Sequence, residues 1–199
     1  VNLWLSSMAY DLKNVFYLST SAAITKNTAG AGSAQLDLSA YIDPIARGRT
    51  KGTGLAIYKV HYSVLNSDTT NILAPDDGEA AILTISMQAG LGIGDNATGT
   101  ITTPTGTATG FSADNALLVS GANYYAPGSY PGAIAEVDEW MSPSKDVPYV
   151  IVRDNVCLVY NVDAAKTATD DLQIAVRMEC AQVTLDQATL NQLLRTQTV

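Results

Sequence analysis

Between residues 172 and 180 the chain alternates without a break. Leu172, Ile174, Val176, Met178 and Cys180 fall on one face, and Gln173, Ala175, Arg177 and Glu179 fall on the other. Successive side chains of an extended backbone point to opposite sides, so this is a half-buried strand, apolar inward and polar outward. Val156, Leu158, Tyr160 and Val162 repeat the pattern upstream. The segment 163–171 between the two runs is too short for a parallel crossover helix. The two runs are therefore expected to pair antiparallel.

Period-2 patterning extends through most of the chain. In 54–65, Ala56, Tyr58, Val60, Tyr62 and Val64 share a face, and in 80–88 Ala81, Leu83, Ile85 and Met87 do so. The runs 12–20, 34–42 and 147–152 are rich in strand-forming residues and are bounded by turn residues. Segment 98–109, with Thr at seven of its twelve positions, reads as an exposed hairpin or extended loop bent at Pro104. About eight strands without intervening helical periods predict a single all-β domain over 1–199, a sandwich or a barrel. Residues 1–11 form an N-terminal arm. The start, Val1 to Leu5, has neither an initiator Met nor the basic region of a signal peptide. It fits either a processed chain or a natural start nearer Met8.

One helix is expected, over 184–197. Thr184 and Gln187 have capping-box spacing, and Leu185, Ala188, Leu190, Leu193 and Leu194 follow. Such a short helix must pack on something, either its own domain or a neighbouring subunit. The stretch 121–133 reads as a Gly/Pro loop carrying Tyr124, Tyr125 and Tyr130. Tyrosine suits interfaces because it joins an apolar ring to a polar tip. These three tyrosines, with Leu190, Leu193 and Leu194, are the candidates for subunit contact. The competing reading folds the loop over its own end of the sandwich.

Composition narrows the function. Apolar residues make up 47% of the chain and charged residues 15%, below the usual ~25%. A surface poor in charge is what a subunit buried against neighbours would carry, and secreted proteins share the bias. The net charge of −8 argues against nucleic-acid binding, which rests on Lys and Arg neutralising phosphates. No apolar run approaches the ~18 residues that cross a bilayer.

Each catalytic candidate lacks a part. The single histidine, His61, shares a strand face with Lys59 and Ser63, and no Gly-x-Ser-x-Gly turn exists to present a serine. One His and two separated Cys fit none of the common zinc spacings. Gly90, Gly92 and Gly94 follow a strand, but no helix follows them to face a pyrophosphate. Cys157 and Cys180 lie inside strands and read as buried thiols. The acidic turns Asp76, Asp77, Glu79 and Glu136, Asp138, Glu139 read as solvated charge. Their functional versions are a carboxylate acid–base pair or, for Asp76, Asp77 and Glu79, a structural Ca²⁺ between subunits. Arg47, Arg49 and Lys51 form a basic turn, and Asn96 heads a formal glycosylation sequon. The chain reads as a non-enzyme with no cofactor beyond that Ca²⁺.

With Asp11 to Leu18 as an early strand, Ser39 to Pro44 and the strand from Leu55 to Leu65 as the next part, and 155–162 with 172–183 as a final strand pair, the pattern resembles the single jelly-roll major capsid proteins of tailless icosahedral viruses of archaea and bacteria. The resemblance implies an all-β, eight-stranded antiparallel jelly-roll sandwich with long loops and a short C-terminal helix. It further implies a structural protein of the virion with no catalytic residues. Its partners would be copies of itself and other capsid proteins, with contact to an internal membrane through those others. The alternative is a secreted or cell-surface β-sandwich module of a surface layer, filament or carbohydrate-binding protein.

Overall fold

The computed structural model describes residues 14–43, 51–66, 81–89, 117–126, 136–163, 167 and 171–197. Nine strands and one helix run in chain order. They are β1 (Phe16–Ile24), β2 (Gly30–Asp37), β3 (Lys51–Asn66), β4 (Ala81–Ala89), β5 (Leu118–Ala126), β6 (Glu136–Met141), β7 (Tyr149–Ile151), β8 (Asn155–Val162), β9 (Leu172–Asp186) and α1 (Gln187–Thr196). They form two antiparallel sheets of order β1-β9-β3-β7 and β2-β8-β4-β5-β6. The last strands return beside the first: β9 lies between β1 and β3, and β8 between β2 and β4. This interleaving of chain ends across two facing sheets is the eight-stranded jelly roll. The ninth strand, β6, is added at the end of the second sheet.

The expected pairing of 156–162 with 172–180 is corrected. β8 pairs with β2 and β4, whereas β9 pairs with β1 and β3 in the other sheet. The segment between them crosses from sheet to sheet. Its length excluded a parallel crossover within one sheet but did not require a hairpin. The core lies between the sheets. Ile24, Leu55, Ile57, Val60, Val64, Ile174, Val176 and Met178 of the first sheet meet Leu83, Ile85, Met87, Tyr124, Val156 and Leu158 of the second. Each large aliphatic side chain buried this way stabilises by roughly 1.5–3 kcal/mol.

β3 departs from simple alternation. The register with β9 shifts between Ile57 and Lys59, leaving Tyr58 as the extra residue of a bulge. Leu55 and Ile57 therefore face the core together with Val60 and Val64. Ala56 and Tyr58, expected on that face, instead join Ala181, Val150 and Val183 in a small cluster outside the main core. A bulge reverses the facing of everything beyond it, which a single alternation count cannot register.

The helix begins at Gln187, later than expected, because β9 runs on to Asp186. Asp186, rather than Thr184, is the cap, and its carboxylate accepts from the Thr189 N–H at 2.7 Å. The hydrogen bond favours the charged carboxylate and lowers its pKa. The helix packs on its own domain through Leu190, its one buried residue. Leu190 lies over Gly52 of β3, where an added Cβ would sit 2.8 Å from Leu190 Cδ2. Gln197 closes the helix: its N–H donates to Leu193 O at 2.9 Å, and its side chain is buried at the end of the first sheet.

Candidate functional site

The outward face of β1, β9 and β3 is a grid set by strand register. Tyr17, Glu179 and Lys59 lie in one row, Ser19, Arg177 and His61 in the next, and Ser21, Ala175 and Ser63 in the third. All nine alternate with core residues, so the pleat aims them outward. The third row is made of small side chains throughout, whereas Arg177 and His61 of the second stand tall, and a groove of about 630 Å³ opens there. Tyr17, Ser19, Ser21, His61, Ser63 and Arg177 line it.

Two diagonal contacts organise the taller rows. The Arg177 guanidinium lies 4.2 Å from the centre of the Tyr17 ring, within cation–π range. His61 Nε2 lies 3.0 Å from Glu179 Oε1. That hydrogen bond is the main cause of the lowered Glu179 pKa, with smaller contributions from Lys145 and Lys59. Lys59 and Lys145 both act on the Glu179 carboxylate and Arg177 stands in the next row, so positive charge outnumbers this carboxylate in a chain of net charge −8.

The far end of the second sheet is opposite in sign. Glu136 and Asp138 of β6 pair with Tyr125 and Asn123 of β5 and share their outward face. Glu136, Val137, Asp138 and Glu139 are all exposed. Trp140 lies flat against β5, with its ring where a Cβ on Gly121 would fall.

The tyrosine loop expected over 121–133 is corrected in part. Residues 121–126 belong to β5, and the remainder lies outside the described residues. Tyr124 points into the core at 2% exposure, whereas Tyr125 points out at 51%. Tyr130, with Asp76, Asp77 and Glu79, lies outside the described residues, as do Arg47, Arg49, Asn96 and segment 98–109. Leu190 is spent on the domain's own packing, and Leu193 and Leu194 are half-buried. Among the described residues no group of three or more His, Cys, Asp or Glu is placed to hold a metal.

Buried ionisable groups offer little chemistry. Burial raises the Tyr62 and Tyr124 phenols well above their ordinary value. Ser120 and the Met87 backbone offset the Tyr62 shift in part, yet neither meets its hydroxyl with hydrogen-bond geometry. Cys157 and Cys180 are both buried, form no disulfide and lie in different sheets, and burial pushes the Cys180 thiol up to about 12.

The groove was not among the sequence candidates. Arg177 and His61 each stood on a recognised outward face, but only the β1–β9–β3 register brings Tyr17 and the serines beside them. β6 was read as an acidic turn because its charges suit an edge strand as well as a loop.

No family model matches the chain, and no curated protein does so either. Solved structures with a similar course of chain come from viruses. VP1 of Trichodysplasia spinulosa-associated polyomavirus, solved with GM1 oligosaccharide, is 7% identical, with 87% of this chain and 95% of that one covered and a TM-score of 0.37. VP1 of Human Polyomavirus 12, solved with 3'-sialyllactosamine, is 8% identical, with coverages of 86% and 100% and a TM-score of 0.37. The Turnip Yellow Mosaic Virus structure is 11% identical, with coverages of 87% and 97% and a TM-score of 0.31. At such values the jelly roll stands on the strand order of the chain itself, an all-β sandwich of two antiparallel sheets with one short C-terminal helix.

Proposed function

We propose that this chain is a virus capsid subunit that assembles with its own copies, and with other capsid proteins, into a closed icosahedral shell. Its place is the virion, where other proteins mediate any contact with an internal membrane. The observation that carries the reading is the jelly-roll strand order combined with an interior given over to aliphatic packing. Jelly rolls serve as capsid, lectin and cupin domains, so the fold alone does not decide among them. A cupin needs metal-ligating side chains inside the sandwich. Here the one histidine of the chain faces outward and is paired with Glu179. The low charge of 15% fits a surface covered by neighbours, a bias that secreted lectins would share.

Sedimentation velocity over rising protein concentration tests the reading. Discrete rings and closed particles are expected, with contacts beyond the ~1,600 Å² of a standard interface. A monodisperse 20.9 kDa monomer up to millimolar concentration would overturn it.

A further inference from the structure

The large hydrophobic residues exposed among the described residues are Val15, Tyr17, Tyr125, Val137 and Val147. Two of them, Tyr17 and Tyr125, stand on outward faces of opposite charge. Tyr17 belongs to the outward side of β1, in one row with Glu179 and Lys59 and beside Arg177. Tyr125 lies on the outward face of β5 beside Glu136 and Asp138 of β6, whereas Val137 and Glu139 pair with the buried Tyr124 and Ala122 and belong to the other side of the sheet. Each tyrosine therefore couples exposed apolar surface to an excess of one charge, Lys59 and Arg177 against Glu179 on the first face and Glu136 with Asp138 on the second. The two occupy different sheets of the same molecule, so one copy cannot satisfy both from within.

We propose that the cationic outer face of β1, β9 and β3 of one copy receives the acidic β5–β6 face of a second copy in a head-to-tail contact. This deepens the capsid reading and rests on it. Lys59, Lys145 and Arg177 meet Glu136 and Asp138, and Tyr17 and Tyr125 supply the apolar area between them. The small third row, Ser21, Ala175 and Ser63, leaves room for side chains of the incoming strand. Glu179 is the carboxylate of this face, and the positive charges of Lys59 and Lys145 both act on it. A contact between two different surfaces is heterologous and repeats from copy to copy, closing into a ring where the rotation permits. Capsomers need such a contact. If the charge of β6 merely blocked edge-to-edge pairing, it would require no partner on the other sheet.

Two variants of the full chain test the contact. The first carries Glu136→Lys and Asp138→Lys, so both its surfaces are cationic. The second carries Lys59→Glu and Arg177→Glu, so both are acidic. All four positions are on outward faces, and circular dichroism with thermal melting verifies that both variants fold. Each variant alone is expected to associate at least ~100-fold more weakly than the wild type, since like charges now face each other. An equal mixture is expected to recover association as even-numbered species, because each copy then finds an opposite partner. Wild-type-like assembly of either variant alone, or no recovery on mixing, would overturn the proposal while leaving the capsid reading intact. Undiminished assembly of both variants, with heparin retention lost only in the second, would assign the face to a soluble polyanion instead. A wild type that never associates would overturn the capsid reading itself, and this contact with it.

Discussion

Gln197 holds the C-terminal helix to the sandwich in a way that a single substitution can measure. It lies just past the helix, is 3% exposed, and reaches the outer side of β7, the last strand of its sheet. Its Oε1 accepts from the Val152 N–H at 3.1 Å, and its Nε2 donates to Val150 O at 2.7 Å. One side-chain amide thus does for β7 what the peptide group of a further strand would do. Its backbone carbonyl also accepts from Arg153 Nη1. Gln197→Ala removes both amide contacts and leaves the N–H of Val152, a fully buried residue, without its acceptor. A hydrogen bond contributes about 0.5–1.5 kcal/mol net, and a stranded buried donor costs about 1–3 kcal/mol. These overlap, so the expected loss is about 2–4 kcal/mol. For a domain of this size that lowers Tm by roughly 4–16 °C. Urea denaturation gives the global value, and amide exchange at Val152 reports on the local one. Gln197→Glu separates the two contacts, because a carboxylate can accept from Val152 but offers Val150 O no donor. The reasoning fails if Gln197→Ala unfolds within about 0.5 kcal/mol of the wild type and Val152 keeps its protection.

Further consequences follow from the same geometry. The lowered Glu179 pKa means that its stabilisation is complete above the ordinary value of 4.5 and is lost as pH falls through the depressed folded value. Glu179→Gln should therefore flatten the acid limb of a stability-versus-pH curve below 4.5, and an unchanged limb would count against the His61 contact. Gly121→Ala places a Cβ inside the Trp140 ring position and should cost about 1–3 kcal/mol, with Trp140 displaced toward solvent and its emission shifted to the red. Native protein should expose no thiol to a disulfide reagent and should yield two on unfolding, since Cys157 and Cys180 are buried and not joined in a disulfide. Rapid labelling of Cys180 in the folded state would contradict its raised pKa.

The parts of the fold that are legible in sequence are those with one wet and one dry face. Leu172 to Cys180 is such a strand, and its alternation survives intact in β9. Strands buried on both sides leave no such trace. Leu118 to Ala122 of β5 are all buried, and the run reads as Leu-Val-Ser-Gly-Ala, without alternation. Gly121 resembles a loop residue there, yet it is small because Trp140 occupies the space of a side chain. Pairing was less legible than strand content. The β8–β9 neighbourhood inferred from a short connection fails because jelly-roll strands alternate between sheets, and chain distance says little about which sheet comes next. The site suffered most from this. Arg177, Tyr17, His61 and the serines come from three strands far apart in sequence, and only the register of β1, β9 and β3 makes them one surface.

The most direct test of shell assembly is electron cryomicroscopy of the purified chain under conditions that favour association. Closed particles built from repeated rings, with a two-sheet sandwich fitting each subunit's density, are the expected result. A field of dispersed single subunits, or an open lattice or filament that never closes, would contradict it.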